Sequence, residues 1–307
     1  MAPTNELVVV TCASGKQATH VIPRLYPDYN LRLIVNTQSS LDRLKEQYPS
    51  AEIVQADLAQ PNDCANALNG ATTVYHIGPS IHPHEKEIGY NMIDAAVSER
   101  NKPGSSFLHF VFSSVLNTQL RKMYNHDDKR YVEEYLLESG LNFTILQPGD
   151  FLDMTLIPVL QKSRDPSAKL VWMSPLSAES RSSLVALRDL GEAGALVIKE
   201  RERHYQASYP LVSVGPITYG EIVHRVSTMI GRDIEIAKMT VEEAADFLCM
   251  LVFGSVEKTP VTSRDKAERL VLFYRRRGLQ GNKNVLEWLL GREATSVDSW
   301  VKQQIEE

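Results

Sequence analysis

The feature that most constrains the fold is a short apolar segment followed by a turn of small residues and then by a helical pattern. Residues 7–11 are rich in β-branched side chains, which predicts a strand buried on both faces. The turn over residues 11–18 reads TCASGKQA, and apolar residues then recur at helical spacing as far as Leu25. A strand, a turn and a helix in this order are typical of the opening unit of a nucleotide-binding α/β fold.

The same alternation continues as far as residue 149. Further strands are predicted at residues 31–35, 52–55, 73–77, 107–112 and 143–146, with helical patterns between them. Two of these helices are predicted over residues 41–48, with Ser39 or Ser40 as the cap, and over residues 129–139. Strands that alternate with helices predict an α/β fold with a doubly wound parallel Rossmann sheet.

The rest of the chain is predicted to form a smaller, mainly helical lobe. A helix is predicted to open at Arg188, a strand to run over residues 209–214, and a helix to begin at the cap residue Thr218 and end at Gly231. We find no internal repeat and no low-complexity segment in the sequence.

Composition excludes several classes of protein. The chain has 307 residues, 43% of them hydrophobic, and a formal net charge of −5, so we expect no nucleic-acid or anionic-membrane partner. The three cysteines are far apart, and His82 and His84 lack a third ligand, so neither a disulfide framework nor a metal site is predicted. The sequence shows no signal peptide and no membrane-spanning run, so a cytoplasmic protein is expected.

The turn retains one of the three glycines of a GxxGxxG phosphate-binding motif. The motif positions are Cys12, Gly15 and Ala18. A side chain at the first position is unfavourable if the turn needs a positive φ there. The residues expected to contact a pyrophosphate are Cys12, Ser14, Gly15, Lys16 and Gln17. The alternative is a purely structural turn with no ligand.

The ends of the second and third strands are expected to contact the adenosine half of a cofactor. An acidic residue after the second strand would bind a ribose 2′-hydroxyl and an arginine would bind a 2′-phosphate, but Asn36 is neither. Arg32 lies within the strand and Arg43 in the following helix, so neither is an obvious substitute. Asp57 and Leu58 lie where an adenine contact is expected, although a capping role for the aspartate is an equal alternative.

Candidate catalytic groups lie near the carboxyl ends of the later strands. These ends carry His76, Ser114 and Asp150, where active-site groups of this architecture are found. Lys129 is predicted to begin a helix, and Tyr124 and His126 precede it. A lysine there could orient a nicotinamide ribose or lower the pKa of a nearby hydroxyl, whereas the alternative is a solvated lysine at a helix start.

These motifs together resemble the NmrA-like family of atypical short-chain dehydrogenases. The turn is similar to the TGATGKQG turn of that family, and residues 281–292 resemble the tail of its fungal members. Other similar segments follow in the family's order over nearly the whole chain, at residues 56–58, 91–96, 110–114, 129–133, 140–149, 188–193 and 217–222.

The resemblance implies an NAD(P)-binding Rossmann domain over residues 1–155, to which residues 185–215 return. It implies a substrate-binding lobe formed by residues 156–184 and 216–307, and NADP(H) rather than NAD(H) as the cofactor. Lys129 matches the family lysine, but Tyr124 is five residues before it, so the Tyr-x-x-x-Lys pattern is not met. Asn36 replaces the arginine that many members use for the 2′-phosphate, and Gln147 replaces the arginine of an RPG motif.

Three functions remain open from the sequence. The first is an NAD(P)-dependent reductase of a small aromatic or polyketide-type metabolite in secondary metabolism, with Lys129 as the positioning group and Tyr124, His126 or Ser114 as proton donor. The second is a redox-neutral isomerase, dehydratase or cyclase that has lost the cofactor, and the third is a non-catalytic NADP sensor with a protein partner. The substrate pocket of the first is expected to draw on Phe151, Leu152, Met154, Trp172, Met173 and Phe247.

Overall fold

The computed structural model describes residues 4–306, and the first half of the chain alternates strands with helices. Its elements are β1 (Thr4–Val10), α1 (Ala18–Leu25), β2 (Tyr29–Val35), α2 (Gln38–Gln47), β3 (Glu52–Gln55), α3 (Pro61–Leu68), β4 (Thr73–Ile77), α4 (Glu85–Arg100), β5 (His109–Ser113), α5 (Tyr124–Glu138) and β6 (Phe143–Pro148).

The second half contains shorter strands and more helices. Its elements are β7 (Asp150–Phe151), α6 (Asp153–Ser163), β8 (Val171–Trp172), β9 (Arg181–Val185), α7 (Leu187–Glu200), β10 (Ala207–Leu211), β11 (Val214–Thr218), α8 (Tyr219–Ile230), β12 (Glu235–Ile236), α9 (Val241–Phe253), α10 (Val261–Arg276), α11 (Asn284–Leu290) and α12 (Val297–Glu306). None of the helices within residues 4–306 is both long and apolar enough to cross a membrane.

The main sheet confirms the predicted doubly wound Rossmann architecture. It has seven strands in the order β10-β6-β5-β4-β1-β2-β3, and the pairs formed among β1 to β6 are all parallel. The chain therefore reverses its direction of winding between β1 and β4, where ligands bind in such sheets. Val8, Val9 and Val10 of the central strand are completely buried, as expected for a strand covered on both faces.

The described residues form two units. The first comprises the chain up to Gln119 together with His126–Gln147 and Leu190–Tyr209, and it contains the main sheet except for the last residues of β6 and β10. The second comprises Leu120–Asn125, Pro148–Asp189 and the chain from Pro210 onward. Its two small sheets have the strand orders β11-β9-β7 and β12-β8, and helices α8 to α12 belong to it.

Three local predictions were wrong. In each case the pattern of apolar and polar side chains does not show the backbone conformation that the structure has. The cap of α2 is Thr37, whose side-chain oxygen accepts from the Ser40 amide at 3.3 Å, rather than Ser39 or Ser40. Helix α5 begins at Tyr124, so Lys129 lies in its second turn and not at its start. The predicted strand over residues 209–214 is instead two strands, β10 and β11.

Asp189 holds together the second unit around the start of α7. Its carboxylate accepts hydrogen bonds from Ser213 Oγ at 2.7 Å, Arg292 Nη2 at 2.8 Å and both the amide (2.8 Å) and the hydroxyl (2.7 Å) of Thr295. Burial opposes its ionisation, but the bonds from Arg292, Ser213 and Thr295 outweigh burial and lower the pKa of the carboxyl. A buried carboxylate with this many donors stays charged and fixes the segments that supply them.

We predict that Gly278→Ala destabilises the second unit much more than Gly254→Ala. Both glycines have a positive φ, +58° and +67°, but a Cβ at Gly278 would overlap the carbonyl of Arg181, whereas nothing lies within 4 Å of one at Gly254. We expect a loss of about 1 kcal/mol at Gly254 from the backbone conformation alone and about 3 kcal/mol at Gly278 from the added overlap. Thermal unfolding of the two variants measures this difference, and equal shifts in Tm would contradict the packing described for Gly278.

Candidate functional site

The candidate site lies at the carboxyl ends of β1, β4 and β5, within the first unit. The buried hydroxyl of Thr11, just after β1, donates to the carbonyl of Ile77 at 3.0 Å and accepts from the Ile77 amide at 2.8 Å. The amide of Thr11 donates to the carbonyl of Tyr75 at 3.2 Å. These bonds fix the end of β1 against the end of β4, and so they fix the position from which the turn departs.

His76 is held in this edge as a neutral ring. Its Nδ1 lies 3.0 Å from the Thr11 hydroxyl oxygen and, with the hydroxyl hydrogen directed to Ile77, Nδ1 is the donor. Burial first, and the positive charge of Lys129 second, lower the pKa of His76 to about 3. His76 therefore does not carry a proton on both nitrogens at neutral pH, and its ring stacks on Phe112 with the centroids 5.7 Å apart.

The turn after β1 requires the left-handed conformation that the motif's first glycine normally supplies. Cys12 adopts it with a φ of +47°, and its carbonyl accepts from the Gly15 amide at 2.9 Å. A Cβ on Gly15 would lie 3.1 Å from that carbonyl, so the glycine is needed for the tight turn. Burial raises the pKa of the Cys12 thiol to about 11, although Lys129 lowers it in part, so the thiol stays protonated.

The start of α1 presents backbone amides that could bind an anion. The amides of Ser14, Lys16 and Gln17 have no acceptor among the described residues, and the N-terminus of α1 has no side-chain cap. Unpaired amides at a helix start, together with the positive end of the helix dipole, are the groups that bind phosphates in this fold. The side chain of Gln17 points elsewhere, because its Oε1 accepts from Ser113 Oγ at 2.7 Å.

The residues predicted to contact adenosine lie at the ends of β2 and β3. Asn36 is exposed directly after β2, and its carbonyl accepts from Gln55 Nε2 at 3.3 Å. Asp57 is also exposed, and its carboxylate accepts from the Ala59 amide at 3.0 Å, which is a local turn and not the cap of α3. Leu58 is buried, and its carbonyl accepts from Asn91 Nδ2 at 3.2 Å.

Lys129 forms a buried ion pair with Glu85, the first residue of α4. Its Nζ donates to Glu85 Oε1, and the two side chains are only 10% and 3% exposed. The same ammonium lies 4.0 Å from the position that a Cβ on Gly78 would occupy, so the absence of a side chain after β4 leaves room beside it. The alternative of a solvated lysine at a helix start is therefore wrong.

Ser114 belongs to a second polar cluster, centred on Glu133 one helical turn after Lys129. The Ser114 hydroxyl donates to Glu133 Oε1 at 2.5 Å, and the Thr118 hydroxyl donates to Glu133 Oε2 at 3.0 Å. Gln147, at the position where the resemblance implies an arginine, donates to Glu133 Oε1 at 2.9 Å. The Ser114 hydroxyl therefore donates its hydrogen to another side chain of the protein, and this bond positions the Glu133 carboxylate.

The other two predicted proton donors differ in burial and in their contacts. His126 is buried in the first unit, its Nδ1 donates to the Asn117 carbonyl at 3.2 Å, and burial lowers its pKa to about 4. It is neutral at physiological pH and cannot act as an imidazolium acid. Tyr124 belongs to the second unit, where it is exposed and Arg269 lies over its ring at 4.1 Å from the centroid.

The predicted apolar pocket is formed in part. In the second unit, Met173 and Phe247 line a groove of about 490 Å³ with Met239, Met250 and Val256, and charged groups at its rim include Asp246. Leu152 and Trp172 are instead buried, as is usual for large apolar side chains that pack in a core. Met154 is exposed and Phe151 is half-buried in β7.

Sequence reasoning missed Glu85 and Glu133. Glu85 is 44 residues from its partner Lys129, and only the requirement that a buried lysine find a carboxylate could have suggested a partner. Glu133 could have been found, because it follows Lys129 by four residues and therefore lies on the same face of α5.

The sequence profile of the NmrA-like family matches residues 4–305. A curated relative, the NAD(P)H azoreductase of Xenophilus azovorans, is 25% identical over 244 residues, which cover 78% of this chain and 79% of that protein.

Solved structures are also similar. The NADPH-dependent quinone oxidoreductase QOR2 from Escherichia coli, complexed with NADPH, aligns with a TM-score of 0.73 at 19% identity, over 96% of this chain and 99% of that chain. NmrA, a negative transcriptional regulator, in complex with NADP, aligns with a TM-score of 0.73 at 16% identity, over 97% of this chain and 95% of that chain. At these identities the likeness shows a shared fold and not a shared activity.

We predict that Glu85→Gln lowers the free energy of unfolding by about 3 kcal/mol, because it leaves the Lys129 ammonium buried without its counter-charge. The matched control is Glu87→Gln on the same helix, whose carboxylate is 52% exposed and 3.9 Å from Lys86. That control should change stability by less than about 0.5 kcal/mol. Denaturant unfolding measures both, and a loss at Glu85 no larger than the loss at Glu87 would contradict the burial of the pair.

Proposed function

The chain belongs to the NmrA-like family, and we propose that it is an NADP(H)-dependent reductase of a small apolar, aromatic metabolite. The observation that carries the proposal is the turn after β1, where the amides of Ser14, Lys16 and Gln17 have no acceptor among the described residues. The azoreductase and the quinone oxidoreductase among its relatives support reduction as the chemistry. A place in secondary metabolism rests on the resemblance to fungal members alone and stays a prediction.

The residues of the turn fit a dinucleotide pyrophosphate. Their amides lie at the N-terminus of α1, where no side chain competes with a ligand for them. Gly15 keeps the turn tight, and Cys12 holds the left-handed conformation at a cost of about 1–2 kcal/mol for a residue with a Cβ. The loss of the first glycine therefore changes the side chain at this position but not the path of the backbone.

Lys129 is the residue best placed to orient a nicotinamide ribose and a substrate. When bound, NADPH would supply a hydride, and the protein would supply position and charge. Lys129 Nζ has three N–H donors, of which one is directed to Glu85 and the others can be offered to hydroxyl or carbonyl oxygens. Glu85 fixes the ammonium in place. The rings of His76 and His126 are neutral, so neither acts as an imidazolium acid.

The groove of the second unit supports an apolar substrate. Its volume of about 490 Å³ suits a small organic molecule, and its lining includes the three methionines Met173, Met239 and Met250 beside Phe247. Methionine side chains are flexible and polarisable, and they adapt to aromatic ligands of different shape. Of the apolar residues expected from the sequence, Met173 and Phe247 are those that we assign to substrate binding.

A redox-neutral reaction is the second candidate, and one observation favours it. Within the second unit the hydroxyl of Tyr219 donates to Asp150 Oδ2, and the Phe151 amide donates to Oδ1 at 2.9 Å. Burial raises the pKa of Asp150 and also that of Tyr219, whose ring stacks on Trp172 with the centroids 5.9 Å apart. A buried carboxyl that accepts a hydrogen bond from a buried phenol is suited to the proton transfers of isomerisation or dehydration.

Turnover assays with purified full-length protein separate the candidates. A reductase consumes NADPH in step with the loss of a quinone, azo dye or enone, and Lys129→Met should lower this rate at least about tenfold. Conversion of a substrate with no loss of NADPH would identify the redox-neutral enzyme. Tight NADPH binding with no turnover across the panel would identify a cofactor sensor, and no binding at millimolar concentration would overturn the reductase and the sensor together.

We predict that Ser14→Asp raises the Kd for NADPH at least about tenfold, because it places a carboxylate beside the amides that bind the pyrophosphate. Ser14→Asn has nearly the same size and shape without the charge, and it should change the Kd less than about threefold. Isothermal titration calorimetry measures both constants. If the two variants bind equally well, the pyrophosphate is not held at this turn.

A further inference from the structure

The position after β2 carries no charge with which to distinguish NADP from NAD. In Rossmann folds an acidic residue there binds the 2′-hydroxyl of the adenosine ribose, and an arginine pairs with the 2′-phosphate. Asn36 occupies the position, and it is neutral and exposed. A 2′-phosphate carries up to two negative charges at neutral pH and needs a cation beside it. The charge must therefore come from another residue of this chain.

Arg32 is excluded as that cation because its guanidinium is already used. Its Nε donates to Glu52 Oε2 at 2.7 Å, and its Nη1 donates to the carbonyls of Ala67 at 2.9 Å and Asn69 at 2.8 Å. An arginine that binds a carboxylate and two carbonyls ties β2 to β3 and to the end of α3. Its role is structural.

Arg43 is placed differently. It is exposed on α2, and its Nη2 donates to the carbonyl of Ser14, in the turn after β1, at 3.4 Å. No carboxylate within residues 4–306 forms an ion pair with its guanidinium. A neutral carbonyl at this distance is a weak partner compared with a phosphate, which arginine binds at about 2.7–2.9 Å with two parallel N–H bonds.

We infer that Arg43 is the residue that binds the 2′-phosphate of NADP and so determines cofactor choice. The inference rests on the proposed function. In NADP the adenosine ribose carries the pyrophosphate at its 5′ position and a further phosphate at its 2′ position. With the pyrophosphate at the turn, the 2′-phosphate would be near the end of β2. Arg43 contacts the turn at Ser14 and belongs to the helix that follows β2 by only two residues. Its cation replaces the charge that Asn36 lacks.

Asp42 and Asp57, which lie on α2 and after β3, form hydrogen bonds elsewhere and no ion pair with Arg43. Asp42 Oδ1 accepts from Gln38 Nε2 at 2.8 Å, along α2 itself. Asp57, at the end of β3, is engaged with the Ala59 amide at 3.0 Å and with Gln60 Nε2 at 3.4 Å. The hydroxyls of Thr37 and Ser40 are 2.9 Å apart at the start of α2 and add neutral donors beside the same position.

The experiment compares the affinities of NADP⁺ and NAD⁺, and of 2′,5′-ADP and 5′-AMP, by calorimetry with the full chain. Arg43→Gln removes the charge and keeps a polar amide at the same position of α2. We expect it to weaken NADP⁺ and 2′,5′-ADP by about ten- to a hundredfold and to leave NAD⁺ and 5′-AMP within about twofold. The matched control, Lys45→Gln, removes one charge from an exposed position on the other side of α2 and should leave all four constants within about twofold.

The outcomes distinguish this inference from the proposed function. Arg43 does not bind the 2′-phosphate if Arg43→Gln keeps the wild-type preference for NADP⁺, or if Lys45→Gln weakens NADP⁺ binding as much as Arg43→Gln does. In either case the chain still binds the cofactor. A wild-type protein that prefers NAD⁺ would overturn the inference in the same way. If the wild type binds none of the four ligands, the proposed function itself fails.

Discussion

The hydrogen bonds of the Thr11 hydroxyl are the interaction on which the candidate site depends. They join the end of β1 to the amide and carbonyl of Ile77 at the end of β4, which is the place where the sheet reverses its winding. The turn that starts at Cys12 therefore leaves the sheet in a fixed direction. The amides of Ser14, Lys16 and Gln17, which precede α1, have no acceptor among the described residues. The same hydroxyl accepts from His76 Nδ1 and so orients that ring, whose pKa burial and the Lys129 charge lower to about 3.

A buried ion pair places a fixed cation at this edge. Lys129 would be costly to bury alone, and Glu85 makes its burial possible by neutralising it and limiting its movement. The pair still acts on its surroundings, because the Lys129 charge lowers the pKa of His76 and partly offsets the effect of burial on the Cys12 thiol. A fixed cation beside a neutral imidazole and a protonated thiol is an arrangement for orienting a ligand. It is not suited to nucleophilic attack by the cysteine, whose pKa lies near 11.

Much of the first unit could be predicted from the sequence, because a buried parallel strand is a short apolar run that ends at a polar residue. The bounds of β3 and β4 agree with the sequence patterns, and the Thr218 cap and Gly231 end of α8 were predicted from cap chemistry. The start of α5 could not be predicted, since residues 124–128 are polar and their helical conformation depends on packing. The short strands β7, β8 and β12 have two residues each, too few for any periodicity to be visible.

The candidate site was predictable only where it is local in sequence. The positive φ at Cys12 follows from its motif position, whereas Glu85 reaches Lys129, and Arg43 reaches Ser14, through contacts between elements far apart in the chain. Hydrogen–deuterium exchange with and without saturating NADPH tests most directly whether this turn binds a pyrophosphate. The account predicts slower exchange of the amides of Ser14, Lys16 and Gln17, and of the segment around Arg43, when the cofactor is present. Unchanged exchange in residues 11–18 would contradict it.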